Sequence, residues 1–244
     1  MSAPKTVVLL PTYNEKENLA AMLAAIAANL PASDVFVIDD SSPDGTGAIA
    51  DAAAARDPRV VVAHRPGKQG LGVAYRFGYA WALERGYERI VQMDCDFSHD
   101  PRDLPRMAAL LDAHGAVVGS RRVPGGGADG WPWYRNLISG AGSIYARTVL
   151  ASPIHDLTTG FKGYRRDALL RLDLGKLRSD GFGFQIEVTT VLVALGVDVH
   201  EMPIRFVDRK AGKSKMSGKI FLEAMLKVWS IRKQARALRA TRPR

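Results

Sequence analysis

The stretch KTVVLLPTYNEKENLAAMLAAIAANLPASDVFVIDDSSPDGT, residues 5–46, decides the fold of this chain. Two short apolar runs, Lys5–Leu10 and Val35–Asp39, flank an Ala- and Leu-rich segment at Glu17–Leu30 with helical spacing. Brief runs rich in Val and Ile that are bounded by turn residues are typical of buried strands. A strand, a helix and a second strand in this order indicate parallel strands joined by a crossover helix.

The same alternation continues through the first half of the chain. Further strands are predicted at Val60–His64, Arg89–Met93 and Ala116–Gly119, and further helices at Thr46–Arg56, Leu71–Arg85 and Pro101–His114. The pattern predicts an α/β fold in which helices cover both faces of a mostly parallel sheet. In such sheets ligands bind at the carboxyl ends of the strands.

The second half of the chain is less regular. Gly125-Gly126-Gly127 and Trp131-Pro132-Trp133 predict a loop or a mobile lid. The remaining predicted elements are helices at Leu137–Leu150, Asp167–Leu174 and Phe184–Leu195, a strand at Val199–Met202, a Gly- and Lys-rich loop over 209–218 and a helix from Lys219 to about Leu238. Because no long linker interrupts this series, we expect one domain over residues 1–218, followed by a basic amphipathic helix and tail over 219–244.

Composition predicts a globular protein that works in a reducing compartment. The chain has 244 residues, of which 47% are hydrophobic and 24% charged, and its single cysteine, Cys95, excludes an internal disulfide. The amino terminus offers only a short apolar run, Val7–Leu10, and no stretch approaches the ~18 apolar residues of a membrane span. We therefore expect a cytoplasmic protein that reaches any membrane from outside the bilayer.

Charge is concentrated near the carboxyl terminus. From Arg205 onward, thirteen Lys and Arg residues stand against two acids, Asp208 and Glu223, which gives +11. The rest of the chain has 21 basic and 23 acidic residues and carries −2. A basic tail on a near-neutral body indicates an anionic partner: phosphates, nucleic acid or an acidic membrane surface. The alternative is a solvated helix face.

Acidic residues follow two of the predicted strands. Asp94 and Asp96 are two positions apart, so both carboxylates can approach one hard cation such as Mg²⁺ or Mn²⁺. Asp39 and Asp40 end a neighbouring strand, where a carboxylate can accept hydrogen bonds from a ribose or a base. The alternatives are an acidic turn before Pro101 and a turn at the Ser-Pro-Asp-Gly sequence.

Glycines and cations near the predicted loops suit an anionic ligand. Gly70-Leu71-Gly72 is not a dinucleotide fingerprint, because Tyr75 stands where the third glycine belongs. Lys68 lies before a helix start, where an anion can bind. Further cations occur at Arg121, Arg135, Arg209, Lys213 and Lys215. The sequence contains no Gly-x-Ser-x-Gly elbow and no zinc-ligand spacing.

Nine motifs together resemble one family, the polyprenol-phosphate (dolichol-phosphate) mannose synthases, which are GT-A-fold, family 2 glycosyltransferases. The motifs occur in the family's order: PTYNEKEN (11–18), DDSSPDGT (39–46), GKQGLGVAYRFG (67–78), DCDFSHDP (94–101), GSRRVPGG (119–126), WPWYRNLIS (131–139), DLTTGFKGY (156–164), GFGFQIE (181–187) and DRKAGKSKM (208–216). The resemblance implies a Rossmann-like GT-A sheet and a metal-dependent transfer of mannose from GDP-mannose to a polyprenyl phosphate.

The resemblance also implies roles for individual residues. Asp94 and Asp96 correspond to a metal-binding pair, and Ser98 stands where some relatives have a third, glutamine ligand. Arg121 and Arg135 correspond to phosphate contacts and, with Asp96, to the catalytic group. Nucleotide and substrate contacts are implied for Pro11, Tyr13, Glu15, Val37, Asp39, Asp40, Lys68, Cys95, Gln185, Arg209 and Lys215, where Gln185 replaces a lysine of some relatives.

The implied reaction needs no general base. A phosphate monoester has a second pKa near ~6 and is largely a dianion at neutral pH. The enzyme must steer this anion to the anomeric carbon and neutralise the departing GDP with Mg²⁺ or Mn²⁺ and cations. A single in-line displacement inverts the α-linked donor to a β-mannosyl phosphate.

The basic tail fits a membrane acceptor. Over Lys219–Gln234 polar residues form a narrow stripe and apolar residues the wide remainder, which predicts an interfacial helix on the cytoplasmic face of the membrane. The alternative is a helix packed on the core with a basic end, and a membrane-anchoring partner protein fits either arrangement. Two other functions remain open: a UDP-glucose-dependent sibling transferase and a non-enzymatic nucleic-acid-binding module, although the acidic strand ends would repel nucleic acid.

Overall fold

A computed structural model describes residues 4–208 and 218–241, without the side chains of Phe182 and of residues 218–226. Nine strands are present in these ranges: β1 (Thr6–Thr12), β2 (Ser33–Asp39), β3 (Val60–His64), β4 (Arg89–Gln92), β5 (Ala116–Ser120), β6 (Gly127–Asp129), β7 (Lys162–Arg165), β8 (Val199–Pro203) and β9 (Arg205–Val207). The helices are α1 (Leu19–Asn29), α2 (Thr46–Ala54), α3 (Leu71–Glu84), α4 (Leu104–Leu110), α5 (Trp133–Leu150), α6 (Arg166–Leu170), α7 (Gly181–Ala194) and α8 (Gly218–Ala240).

Seven strands form one sheet in the order β3-β2-β1-β4-β7-β5-β8. Strands β3, β2, β1 and β4 are parallel neighbours, β5 and β8 are parallel, and β7 runs antiparallel to both β4 and β5. Thr12 pairs with Asp39, so the carboxyl ends of β1 and β2 meet at one edge of the sheet. Strands β6 and β9 form a separate parallel pair.

Alternating side chains of the central strands fill two cores. Val8 and Leu10 of β1 pack with α1 and α4 on one face, while Val7 and Leu9 pack with α3 and α7 on the other. Since each fully buried aliphatic side chain contributes about 1.5–3 kcal/mol, both faces must be covered. The expected α/β architecture with helices on both faces of a mostly parallel sheet is confirmed.

Three strands and the bounds of several helices differ from the sequence prediction. Helix α4 is shorter than the predicted Pro101–His114, α6 ends at Leu170 rather than at Leu174, and α7 begins at Gly181 rather than at Phe184. The antiparallel strand β7 and the short pair β6 and β9 were not expected. The predicted loop or mobile lid is wrong in the last residue of each of its two segments, because β6 begins at Gly127 and α5 begins at Trp133 rather than at Leu137. Pro132 directly precedes the helix, where its missing N–H costs no hydrogen bond. The predicted loop over 209–218 lies outside the described residues except for Gly218, which begins α8.

The described part of α8 packs on the domain. Val228 and Ile231 are buried in a cluster with Val149 and Leu150 of α5. Trp229 is exposed, and its Nε1 donates to the Tyr145 hydroxyl at 2.9 Å. Packing on the core therefore holds for residues 227–241, whereas the side chains of 219–226 lie outside the described set. No helix within residues 4–208 or 218–241 is long and apolar enough to cross a membrane.

Candidate active site

A cavity of about 400 Å³ lies at the carboxyl ends of β1 and β4 and is closed on its far side by α5 and α7. Eleven of the predicted site residues line it: Pro11, Tyr13, Glu15, Asp40, Lys68, Asp94, Cys95, Asp96, Arg121, Arg135 and Gln185. Val37, Asp39 and Ser98 are close in sequence to lining residues but do not line the cavity themselves. Arg209 and Lys215 lie outside the described residues.

Asp39 fixes the loop that follows β2. Its buried carboxylate accepts hydrogen bonds from Thr12 Oγ1 at 3.1 Å and from the Ser42 backbone N–H at 3.1 Å. The next residue, Asp40, lines the cavity and faces Arg65, with Oδ1 and Nη1 3.0 Å apart. Burial raises the pKa of Asp40, which Arg65 opposes and the neighbouring Asp39 reinforces. The geometry shows Asp39 bonded within the loop, with Asp40 at the cavity wall.

The acidic pair lies just beyond β4 rather than on it. Asp94 and Asp96 both line the cavity, and Asp96 Oδ1 accepts the Ser98 N–H at 3.0 Å. Phe97, directly after Asp96, has φ of 57°, a left-handed conformation that turns the chain after the pair. A Cβ added at Gly160 would lie 2.9 Å from Asp94 Oδ2, so the glycine makes room for this carboxylate.

These donors fit a hard divalent cation. Within the described parts of the chain no group of three or more His, Cys, Asp and Glu side chains could hold a metal. Two carboxylates are nevertheless the usual protein share of a Mg²⁺ or Mn²⁺ site that is completed by waters and substrate phosphates. Ser98 does not line the cavity, but its Oγ is buried without a hydrogen-bond partner among the described residues. It is therefore a candidate for one more oxygen beside Asp96.

Arg121 is held rigidly at the cavity wall. Its Nε and Nη2 donate to the two carboxylate oxygens of Asp156 at 2.7 and 2.8 Å, and Nη2 also donates to Thr158 Oγ1 at 2.8 Å. Burial favours a higher pKa for Asp156, but Arg121 outweighs it and holds that pKa well below the usual range. Sequence reasoning missed Asp156, although it begins the DLTTGFKGY motif.

Arg135, in the first turn of α5, lies on the same side of the cavity. Its Nη1 donates to both Asp208 oxygens, at 3.0 and 2.9 Å. The guanidinium lies over the Trp131 ring, 4.4 Å from the centroid, while that of Arg121 lies 5.6 Å from the same centroid. Two arginines thus flank one indole ring, which was not expected from the sequence.

Lysine and tyrosine contribute the opposite wall. Lys68 Nζ lies 4.5 Å above the Tyr13 ring, and the Glu15 backbone N–H donates to Thr46 Oγ1 at 2.9 Å. Cys95 is almost completely buried, and burial raises the pKa of its thiol. Cys95 packs in one core cluster with Val91 and Met93 and also lines the cavity.

Gln185 belongs to a buried polar network beneath the cavity. Its Oε1 accepts from Gln92 Nε2 at 2.8 Å, and Gln92 Nε2 also donates to the Gly160 carbonyl at 2.9 Å. The fully buried Lys162 donates from Nζ to the Gln185 carbonyl at 2.6 Å and to Thr189 Oγ1 at 2.7 Å. Lys162 was also missed, because its role depends on partners far away in sequence.

Comparison with known proteins shows which family the chain resembles. The family model described as glycosyl transferase family 2 matches residues 7–172. The chain is 47% identical to an undecaprenyl-phosphate mannosyltransferase of Micrococcus luteus, over 97% of this chain and 98% of the relative. It is 46% identical to a polyprenol monophosphomannose synthase of Mycolicibacterium smegmatis, over 93% of this chain and 88% of the relative.

Solved structures share the fold at low identity. A glucosyl-3-phosphoglycerate synthase of Mycobacterium tuberculosis in complex with phosphoglyceric acid superposes with a TM-score of 0.69 at 18% identity, over 95% of this chain and 81% of that one. A mannosyltransferase of Pyrobaculum calidifontis in complex with GDP-mannose and Mn²⁺ superposes with a TM-score of 0.55 at 19% identity, over 100% and 77% of the two chains.

Proposed function

The chain belongs to glycosyl transferase family 2, and on that premise we propose that it transfers mannose from GDP-mannose to a polyprenyl phosphate, with inversion at the anomeric carbon. The observation that supports the proposal most directly is the similarity to two polyprenyl-phosphate mannosyltransferases. They are 47% and 46% identical to this chain over 97% and 93% of its length. The family membership decides against the alternative of a non-enzymatic nucleic-acid-binding module.

The acidic wall of the cavity suits the donor. Asp94 and Asp96 would hold Mg²⁺ or Mn²⁺, with Ser98 Oγ as a further oxygen and the donor diphosphate completing the site. When bound, the cation neutralises charge that builds up on the departing GDP. Tyr13 and Lys68 supply a ring and an adjacent positive charge on the same wall. We assign the nucleotide to this side, with the loop that contains Asp39 and Asp40 behind it.

The arginine wall suits the acceptor phosphate. The bonds to Asp156 and Thr158 use Nε and Nη2 of Arg121, and Nη1 has no hydrogen-bond partner among the described residues. Arg135 is partly exposed and forms an ion pair with Asp208. A guanidinium presents N–H groups in a planar fork that matches phosphate oxygens. The two arginines can therefore hold the acceptor dianion near the donor sugar.

Chemistry in this arrangement requires positioning rather than proton removal. Because the acceptor is already ionised, no general base has to act on it. Arg121 is pre-organised by Asp156, so it does not have to reorganise when the phosphate attacks. Asp96, Arg121 and Arg135 are the residues to which we assign catalysis, acting through charge and orientation. We also propose that the protein acts peripherally on the cytoplasmic face of the membrane, with or without an anchoring partner protein.

Transfer of labelled mannose into organic-extractable lipid tests the proposal. Purified full-length protein receives GDP-mannose, a polyprenyl phosphate and Mg²⁺, and labelled lipid is expected. Asp96→Asn should lose at least about 100-fold in rate, which is the usual cost of removing a group that stabilises transition-state charge. Asp100→Asn is the matched control, since Asp100 is four residues away and does not line the cavity.

Other outcomes would redirect the assignment. Labelled lipid from UDP-glucose but not from GDP-mannose would place the protein in the glucosyl-transferring branch. No labelled lipid from either donor, with native membranes added as well, would refute the proposed acceptor. Equal rates for both Asp variants would refute the role of Asp96.

A further inference from the structure

A largely buried glutamate holds the loop that carries the counter-charge of Arg121. The side chain of Glu201 on β8 is 9% exposed. Its Oε2 accepts the backbone N–H of His155 at 2.8 Å, and its Oε1 accepts the next backbone N–H, that of Asp156, at 3.0 Å. Successive backbone N–H groups can bind an anion, and here the two oxygens of one carboxylate take that place. Glu201 thus binds two neighbouring peptide groups at once.

The two peptide groups lie in a segment that needs such a partner. Residues 151–161, between α5 and β7, contain no helix or strand, so repeating backbone hydrogen bonds do not fix them. Ile154 is buried in one cluster with Val118 of β5, which holds the loop against the sheet. Apolar packing is not directional and does not set where the Asp156 side chain points. The hydrogen bonds to Glu201 are directional and can set it.

Asp156 connects this loop to the cavity wall. Its carboxylate is fully buried and accepts from Arg121 through Nε at 2.7 Å, Nη2 at 2.8 Å and the backbone N–H at 3.0 Å. Arg121 directly follows β5, and β5 pairs in parallel with β8, where Val118 lies opposite Glu201. Glu201, Asp156 and Arg121 therefore form a series that runs from the last strand of the sheet to the cavity. Of these three residues only Arg121 lines the cavity.

We propose that Glu201 is a positioning residue for the acceptor phosphate. It fixes the backbone at residues 155 and 156, which orients the Asp156 carboxylate and, through it, the Arg121 guanidinium. The inference rests on the proposed function, in which Arg121 holds the acceptor dianion. A group that stabilises charge in the transition state must have its orientation before the reaction begins. A displacement of about 1 Å in a positioning group can cost about 100-fold in rate, so Glu201 can affect the reaction without touching the substrate.

The His155 ring also contacts the glutamate, but it is the outer part of the cluster. Its Nδ1 lies 2.8 Å from Glu201 Oε2, and the His155 side chain is 42% exposed. Removal of the ring would leave both backbone N–H groups in place, because every residue except proline carries one. We therefore expect the loop to depend on the two backbone bonds rather than on the ring.

Hydrogen exchange measures the positioning itself. In the wild type, the backbone N–H groups of His155 and Asp156 should exchange slowly although they lie in a loop. The Arg121 Nε–H, whose NMR signal Arg121→Lys identifies, should be slow as well. Glu201→Gln keeps the size of the side chain but replaces one acceptor oxygen by an N–H donor. In this variant the Arg121 Nε–H should exchange at least about tenfold faster, or about 1.4 kcal/mol. Asp198→Asn makes the same change directly before β8, at a carboxylate that is 69% exposed, and is the matched control.

Steady-state kinetics separates positioning from stability. With GDP-mannose and a detergent-dispersed polyprenyl phosphate, Glu201→Gln should raise the KM for the acceptor at least about tenfold and leave the KM for GDP-mannose unchanged. A variant that was merely less stable would contain less active enzyme, which lowers the apparent kcat without separating the two KM values. His155→Ala removes the ring and keeps both backbone bonds, so it should behave like the wild type.

Several results would overturn the proposal. Fast exchange of the two loop N–H groups in the wild type would do so, and this measurement does not require any variant to fold. Unchanged Arg121 exchange in Glu201→Gln, or an equal rise of both KM values, would also overturn it. So would an equal loss in Asp198→Asn or in His155→Ala. Absence of wild-type transfer would instead count against the proposed function, and the exchange rates would then still decide whether Glu201 positions Arg121.

Discussion

Replacing the buried Lys162 by methionine should change how the stability of the protein depends on pH. Burial lowers the pKa of Lys162 to about 7, an effect that Asp156 opposes and Arg121 reinforces. In an unfolded chain the same group titrates near ~10.4. Between these two pKa values the unfolded state holds a proton that the folded state has lost. The free energy of unfolding therefore rises with pH across this window, and the full penalty is present below about pH 7.

The expected magnitude follows from the two pKa values. The linkage relation gives an increase of about 2.5 kcal/mol in the free energy of unfolding between about pH 6.5 and about pH 9 from this group alone. Lys162→Met removes the titration. It also removes the hydrogen bonds to the Gln185 carbonyl and Thr189 Oγ1, at about 1 kcal/mol each. That cost changes little with pH, so the pH-dependent part isolates the ammonium group.

Urea unfolding of both proteins at the two pH values measures the effect. The difference in unfolding free energy between wild type and Lys162→Met should change by about 2.5 kcal/mol, with the wild type gaining at high pH. All other titrating groups are common to both proteins and cancel. Lys176→Met is the control, because Lys176 is 76% exposed and pairs with Asp173 at the surface. Parallel pH profiles for wild type and Lys162→Met would refute the reasoning.

Three further predictions concern the site itself. In a metal titration, Gly160→Ala should raise the Mn²⁺ concentration for half-maximal activity about tenfold, because the new Cβ would lie 2.9 Å from Asp94 Oδ2. Gly175→Ala is the control and should leave that concentration unchanged, since its Cβ would have a nearest contact of 3.4 Å. Asp156→Asn should lower the free energy of unfolding by about 3–5 kcal/mol, since it leaves a buried guanidinium without its counter-charge. The same change at the exposed Asp167 should cost less than about 1 kcal/mol, and similar urea midpoints for the two variants would contradict the buried-pair argument. A chelator should abolish mannosyl transfer and excess Mg²⁺ or Mn²⁺ restore it, whereas activity that survives chelation would count against a metal site.

Local pattern was sufficient for the parallel part of the fold. Strands β1 to β5 and helices α1 to α3 each consist of a short apolar run or a segment with helical spacing, and they fall within a few residues of the predicted bounds. Strand β7 could not be found in this way, because Lys162–Arg165 reads KGYR and has no apolar run. Its extended conformation depends on the hydrogen bonds that it makes to β4 and β5 on either side.

Some residues of the site could be found from the local sequence, and others could not. Asp94 and Asp96 were found because their chemistry is visible in their spacing, and the arginines because the motifs that contain them resemble a known family. Asp156 and Lys162 carry no such local signal. Their importance comes from Arg121, 35 residues from Asp156, and from Thr189, 27 residues from Lys162. Side chains that depend on partners far away in the sequence are the residues of a site that are hardest to predict from local sequence.

The antiparallel direction of β7 shapes the cavity. Because β7 runs against β4 and β5, it begins at the edge of the sheet where those two strands end. The turn that precedes it therefore lies between the acidic wall and the arginine wall of the cavity. Gly160 of this turn approaches Asp94 after β4, and Asp156 binds Arg121 after β5. A parallel strand in this position would begin at the opposite edge and could not deliver the turn. The antiparallel strand thus sets the separation between the walls to which we assign the donor and the acceptor phosphate.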